Sequence, residues 1–395
     1  MLFVRLNKGV GPHQAALADA MYSLLGDDFV FIEYGRNETF QKGSYTGMTK
    51  GVDYHVGRPY ILQMYESEDS ERKAHELIMK ADVLHTGGEP IDLTRNRILS
   101  GKLTFRSTEH VRKGNWWRNL KKLIKLRRYY NPMTNQNYRI LCQSAYMAND
   151  MQYCNRSYRE KCYKFAYFTE TPRLDIEKVI AARDKEKVQL VWCARFIDWK
   201  HPELPVLLAK RLVDSGRKDF AIQMIGADTM PLWKKTRDYI QQLGVQEQVV
   251  LTGGLKNTEV LERMRQSHIF LFTSDRGEGW GAVLNEAMGA GCACVASHDI
   301  GSVPFLLKDK ENGLIFKSCS VKSLFEKVVT LYDNRALCDK LGKAAYHTIT
   351  TDWSAQLAAE RLVELSESIL RGGEIYFEDG PCSKAKPMKV TRLLA

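Results

Sequence analysis

The sequence predicts an α/β protein made of two doubly wound, parallel sheets. Its 395 residues, 44% of them hydrophobic, can bury more than one core, and ordinary domain sizes divide such a length in two. Short apolar strands alternate with stretches whose apolar residues recur at helical spacing. That alternation restarts once, after "ETPRLDIEK" (170–178).

Element by element, "LFVRL" (2–6) reads as a strand, "GVGPH" (9–13) as a turn, and "HQAALADAMYSLL" (13–25) as a helix. With "FVFIEY" (29–34) as the next strand, the chain opens on a βαβ unit. "PYILQM" (59–64), "ADVLHTGG" (81–88), "KLTFRS" (102–107) and "YRILCQS" (138–144) read as further strands, with helical or loop segments between them. Such apolar runs suit a parallel sheet covered on both faces. The second half repeats the grammar: "VQLVWCARF" (188–196), helix 202–214, "FAIQMIG" (220–226), helix 231–243, "QVVLTGG" (248–254), helix 257–266, "HIFLFTS" (268–274), helix 281–289 and "ACVAS" (293–297). A composition change near Thr171 and Pro172 marks the boundary.

No stretch approaches the roughly 20 apolar residues of a membrane-spanning helix. The start "MLFVRLNKGVG" lacks the pattern of a signal peptide, so a cytoplasmic protein is expected. Nine cysteines, at 142, 154, 162, 193, 292, 294, 319, 338 and 382, include no CxxC pair, and no histidine cluster has zinc spacing; reduced, mostly buried thiols and no metal are expected. Most of the net charge of +11 is local. Between Gly101 and Tyr130 ten cations stand against the single Glu109.

Ligands on open parallel sheets bind beyond the carboxyl ends of the strands. In the second half those loops hold "ARFIDWKHP" (194–202), "IGADT" (225–229) with Gly226, "TGGLKN" (252–257) with Lys256, and "SDRGEGWG" (274–281). A glycine-rich loop between strand and helix offers backbone N–H groups to an anion. Gly279 and Gly281 would let the chain approach a phosphate, with Ala282 and Val283 opening the helix behind them. Arg195 and Lys200 could supply the countercharge of a pyrophosphate. Taken singly, a glycine-rich turn is usually only a turn, and an Arg near a Lys usually a solvated pair. Glu286 is different, because Ala282, Val283, Leu284, Ala287 and Met288 make most faces of its helix apolar, and a buried carboxylate needs partners to offset its desolvation. Its oxygens suit the two hydroxyls of a ribose, and Glu278, just ahead, can accept from sugar hydroxyls.

The stretch "EGWGAVLNEAMGAG", with Glu278 and Glu286 separated by seven residues, together with Arg195 and Lys200, resembles the donor site of the retaining GT-B glycosyltransferases of family 4. The likeness covers roughly residues 186–353, including "GSVPFLLKDKENGLIF" (301–316). It implies two Rossmann-like domains facing across a cleft: 1–172 for the acceptor and 173–353 for the nucleotide sugar. Residues 354–395 would add a helix, "SAQLAAERLVELSESIL" (354–370), crossing back to the first domain, and a tail containing "GPCSKAKPMKV". The resemblance also implies that Glu278 contacts the transferred sugar, Glu286 the nucleotide ribose, and Arg195 and Lys200 the diphosphate, with no cofactor and no metal. In the first half it implies a glycine-rich loop near the donor phosphates, here "NKGVGPH" with Gly9 and Gly11. It further implies a histidine near the sugar, for which His110 in "TFRSTEH" is preferred to His85 in "VLHTGG".

Wound as a helix, segment 110–130 puts Trp116, Trp117, Leu120, Leu123 and Ile124 on one side and Arg118, Lys121, Lys122, Lys125 and Arg128 on the other, with Arg127 out of place. A surface helix packed on its own core is one reading. Docking at an anionic membrane, where a lipid-tethered acceptor would be met, is the favoured one.

The expected function is therefore retaining transfer of a hexosyl or N-acetylhexosaminyl group. The donor is a nucleotide sugar, preferably a UDP-sugar, and the acceptor a lipid-linked saccharide in polysaccharide or glycolipid assembly. The alternative is a non-catalytic nucleic-acid- or membrane-binding protein on a GT-B scaffold. The intact Glu278, Glu286, Arg195 and Lys200 argue against it, and no RNA or DNA module is recognisable, so nucleic acid is not an expected partner.

Overall fold

A computed structural model describes residues 1–35, 53–113 and 116–388, without the side chains of Trp116, Trp117 and Arg118. The chain folds as two compact units: residues up to 170 together with 352–388 form the first, and 171–351 the second.

The first unit carries seven parallel strands: β1 (Phe3–Asn7), β2 (Phe29–Glu33), β3 (Ile61–Gln63), β4 (Val83–Gly87), β5 (Thr104–Thr108), β6 (Tyr138–Cys142) and β7 (Cys162–Lys164), in the order β3-β2-β1-β4-β5-β6-β7. Its helices include α1 (Ala15–Leu25), α2 (Glu68–Lys80), α3 (Arg95–Leu99), α4 (Trp116–Tyr130) and α5 (Met147–Cys154). Alternate residues of β1 serve opposite faces. Val4 and Leu6 pack with Ile32 and Leu84 under Ala74 and Ile78 of α2, so the sheet is buried there as its apolar strands require. Ser67 caps α2 by accepting from the Ser70 amide at 3.1 Å. Glu68, Asp69 and Glu71 in its first turn and Lys80 in its last complement the helix dipole.

The second unit has six parallel strands: β8 (Val188–Cys193), β9 (Phe220–Ile225), β10 (Val249–Gly253), β11 (Ile269–Phe272), β12 (Ala293–Ser297) and β13 (Leu314–Phe316), in the order β10-β9-β8-β11-β12-β13. Its helices are α6 (Ile176–Ala181), α7 (Glu203–Asp214), α8 (Trp233–Leu243), α9 (Asn257–Gln266), α10 (Val283–Gly289), α11 (Val303–Leu306), α12 (Val321–Tyr332) and α13 (Arg335–His347). In both sheets the order reverses beside the first strand, between β4 and β1 and between β11 and β8. Loops diverge there and open a crevice beyond the strand ends.

The last helix, α14 (Ala355–Leu370), belongs to the first unit and packs on α1. Ser354 caps it, and Ala358, Ala359, Leu362, Leu365 and Ser366 form its buried stripe. The segment that reads as a tail behaves otherwise. The Cys382 amide donates to the Lys164 carbonyl at 2.8 Å, the Lys164 amide to Ser383 at 2.7 Å, and the Ala385 amide to Cys162 at 3.0 Å. The chain end thus covers β7, whose edge would otherwise present unpaired backbone groups. Both partners are too short for periodicity to reveal them. All nine cysteines are free and seven are buried; Cys193 is partly buried and Cys319 exposed.

Candidate functional site

Because β8 and β11 are neighbours, the loops that follow them meet. Trp192 Nε1 donates to Thr273 Oγ1 at 2.8 Å, and that hydroxyl donates to the Lys200 carbonyl at 2.6 Å. The Asp275 amide donates to the Trp199 carbonyl at 3.0 Å. His201, left-handed at φ 51°, bridges the loops with Nε2 3.1 Å from Asp275 and Nδ1 2.8 Å from Glu203. Hydrogen bonds to Asp275 and then Glu203 push this imidazole up to about 10, so it is a cation that donates to both.

Lys200 and Glu278 form an ion pair between these loops, and both are largely buried. Glu278 also accepts from Ser274 Oγ at 3.2 Å. Eight residues on, Glu286 is 9% exposed and its Oε2 has no hydrogen-bond partner. Desolvation raises its carboxyl to about 7. The Cys193 thiol, at the end of β8, is pushed up to about 12 by burial first and by Glu286 second, with Lys200 opposing. Carboxylate and ammonium therefore both act at this point.

Helix α10 starts at Val283, two residues later than its sequence pattern suggests. Gly281 sits at φ +77°, and a Cβ there would stand 2.3 Å from Phe272 Cζ. The position is closed to other residues and lies outside helical space. Buried Trp280 donates Nε1 to Asn285 Oδ1 at 2.9 Å, anchoring the loop to the helix. Gly279 is buried, and Ala282 and Val283 are half-buried.

Of the other expected donor residues of this unit, Arg195, Gly226 and Lys256 follow β8, β9 and β10 respectively. Arg195 is exposed, its guanidinium 5.7 Å from the centre of the Trp199 ring. Gly226 follows β9 and has a packing reason of its own: a Cβ would lie 2.2 Å from the Ala194 carbonyl oxygen. Lys256 is exposed at the N-cap of α9, its amide donating to Glu259 at 2.9 Å. Sequence reasoning quoted the loops that hold Asp275 and His201 and placed Thr273 in the strand 268–274, without singling these residues out, since nothing local announces a clamp built from two strand ends.

In the first unit, Gly9 and Gly11 lie in the loop between β1 and α1. Neither is at positive φ. The loop is held by buried Glu33, which accepts from the Val10 amide at 2.6 Å. His110 is buried with Nδ1 2.7 Å from Ser144 Oγ. His85 is buried with Nε2 2.6 Å from Ser107 Oγ, and desolvation first, then Arg5, holds it well below the usual imidazole value. Both histidines line one cavity of about 740 Å³, as do Lys122, Lys125 and Leu126 of α4. The apolar residues Leu120 and Ile124 stay 43% and 49% exposed. Lys121, Lys122 and Lys125 are all exposed, as a solvated face requires, and the last two also border the cavity; two residues of the apolar stripe are exposed as well, and the side chains of Trp116 and Trp117 lie outside the described residues. Among the described residues no three His, Cys, Asp or Glu stand close enough to hold a metal, and no helix is long and apolar enough to cross a membrane.

Residues 175–348 match the family model described as Glycosyl transferases group 1. Over 173 residues the chain is 27% identical to an exopolysaccharide phosphotransferase of Streptomyces coelicolor, covering 40% of this chain and 18% of that protein. Over 199 residues it is 24% identical to an uncharacterized glycosyltransferase of Methanocaldococcus jannaschii, covering 49% of this chain and 48% of that one. The chain thus spans less than half the length of these curated relatives. Similar solved structures include a glycosyltransferase from Rickettsia africae, with TM-score 0.67, 15% identity and coverage of 94% of this chain and 99% of that one. Anabaena HepE in complex with UDP gives TM-score 0.68, 13% identity and coverage of 93% and 100%. Sucrose-phosphate synthase from Thermosynechococcus elongatus gives 0.66, 13%, 94% and 100%. The fold is that of GT-B glycosyltransferases, as the sequence resemblance implied.

Proposed function

We propose that the protein is a retaining glycosyltransferase of family 4 that moves a hexosyl or N-acetylhexosaminyl group from a UDP-sugar to a lipid-linked saccharide. The observation that carries the reading is Glu286: a buried carboxyl with one oxygen unpaired, on the helix behind the loop that holds Glu278, which pairs with Lys200 of the neighbouring loop. An unmet buried polar atom is costly, and a ribose diol supplies the donors it lacks. As the bond between sugar and phosphate breaks, positive charge grows on the sugar and negative charge on the departing diphosphate. Lys200, fixed by Glu278, and Arg195, free to reach from the β8 loop, meet that negative charge. The acceptor hydroxyl attacks from the face the diphosphate leaves, and its proton passes to the departing phosphate oxygen. No metal enters this scheme, because the two cations supply the countercharge.

Uridine is favoured because the similar Anabaena HepE was solved with UDP. A membrane-bound acceptor is favoured by exposed Leu120 and Ile124, with exposed Lys121 and Arg128 on the same helix, a combination that suits an anionic lipid surface. The test is a panel of UDP-, GDP- and ADP-sugars, read by thermal stabilisation and hydrolysis with a chelator present. Stabilisation by a UDP-sugar without metal is expected; none from the panel, or strict dependence on magnesium, removes the reading. The sugar contact implied for His110 is tested by His110→Ala, expected to lower turnover and spare UDP binding.

A further inference from the structure

The cavity of the first unit holds more charge and more apolar surface than a saccharide needs. One part is lined by Leu17, Ala18 and Met21 of α1 with Phe3, Phe29 and Phe31 of β1 and β2. The same lining carries five cations, Arg5 beside Phe31 in the sheet, Arg106, Lys113 and, at the exposed rim, Lys122 and Lys125, against the single carboxylate of Glu109. Arg106 is held by Glu89 at 2.6 Å and Lys113 by Glu109 at 2.8 Å. Arg5 is 8% exposed, and its guanidinium makes one long bond, 3.4 Å, to the Thr86 carbonyl. Neither Arg5, Lys122 nor Lys125 has an ion-pair partner among the described residues. Three further lining atoms, His13 Nδ1, Gln14 Oε1 and Tyr129 Oη, are buried without a hydrogen-bond partner.

A buried cation with almost no partner is costly, as are unmet polar atoms beside an open cavity. A volume of about 740 Å³ lies within the range of roughly 300–1,000 Å³ typical of small-ligand sites. We propose that this cavity binds a phosphate ester of a single apolar chain, with the phosphate held by Arg5, Lys122 and Lys125 and the chain lying along Leu17, Met21 and the phenylalanines. A free phosphate would leave the apolar part unused, and an uncharged lipid would leave Arg5 unmet. The excess of cations suits a phosphate better than a singly charged carboxylate. This deepens the acceptor reading given above and rests on it in identifying the ester with the lipid carrier of the acceptor saccharide.

Calorimetry on the full chain tests the proposal with dodecyl phosphate below its micelle concentration, inorganic phosphate and dodecanol. Dodecyl phosphate is expected to bind at least about tenfold more tightly than either other probe. Arg5→Gln should lower its affinity at least about tenfold. Ala18→Phe, which fills the apolar part, should weaken dodecyl phosphate and leave inorganic phosphate unchanged; should it fail to fold, Met21→Trp replaces it. No binding of dodecyl phosphate, or equal affinity for it and for inorganic phosphate, overturns the proposal, as does binding of dodecanol at equal strength. UDP binding to the unaltered protein, measured alongside, reports on the donor reading alone, so either can fail while the other stands.

Discussion

Where β8 and β11 end, most charged groups face a partner: Lys200 meets Glu278, and His201 meets Asp275 and Glu203. In the first unit Arg5 of β1 makes one long bond to a carbonyl of β4, and exposed lysines of α4 border a cavity with aromatic walls. The two sheets share the same reversal of strand order and use it differently. Internal ion pairs hold loops in one geometry at the cost of desolvating both charges, which suits a site that must place cations against a developing charge. A buried cation without an ion pair, as Arg5 is, stores no such order, and an arriving anion offsets its cost. Glu286, in the second unit, is also buried with an unmet atom, and what would offset its cost is a hydrogen-bond donor.

The largest effect should come from undoing the pairing in the second unit. Lys200→Ala is expected to lower kcat by about 10²–10³-fold, the scale for losing one preorganised group at a developing charge; steady-state kinetics with the preferred donor would show it, and an unchanged kcat would mean that the pair only holds the loops. Arg195→Ala, which breaks no pair, should cost roughly 2 kcal/mol of UDP affinity, measured by calorimetry.

The two glutamates sharpen the contrast. Glu286→Gln should weaken both UDP and the UDP-sugar, whereas Glu278→Gln should spare UDP and lower turnover. Indistinguishable UDP isotherms for the two variants would end that division of roles. Glu286 and His201 respond differently to pH. With Glu286 raised to about 7 from its ordinary 4.5, the folded protein binds more protons than the unfolded chain between those values, so stability falls as pH rises through that window. Bound hydroxyls favour the ionised form, so affinity for UDP-glucose should rise over the same interval and be flat in Glu286→Gln. His201, raised to about 10 from 6.5, contributes stability that is fully present below pH 6.5 and lost as pH climbs through 10; thermal melts of His201→Ala should lack that second decline.

The smallest effect concerns α4. Replacing exposed Leu120 and Ile124 by glutamate should reduce sedimentation with anionic vesicles, and Lys121→Glu should cost about 1 kcal/mol. Binding by the unaltered protein should weaken between 0.1 and 1 M salt as the Debye length shrinks from about 10 to 3 Å. Vesicle binding that ignores all three substitutions returns the helix to an ordinary surface element.

Much of the second unit was legible in the sequence because its signals are local. Apolar runs gave the five strands from β8 to β12, and glycines at fixed offsets from Glu278 and Glu286 gave the loop, since a position such as Gly281 admits no side chain and so marks itself. The first unit was harder to read. Strand β7 and the chain end that covers it are too short to show a period, and their partnership spans more than two hundred residues. The pattern of α4 fixed which residues share a face of the helix, but the neighbours that a face meets are not a property of the helix.

By itself, then, the sequence determined the alternation of strand and helix, the spacing of the two glutamates and the cations near them, all set by backbone geometry within a few residues. Only the tertiary structure decided that Lys200 pairs with Glu278, that Glu286 keeps an unpaired oxygen, and that Arg5 is buried with no ion pair, Glu89 acting on it only from a distance. Charge pairing and burial depend on which strands lie side by side, and that order, β11 beside β8 and β4 beside β1, is fixed by packing across the whole unit.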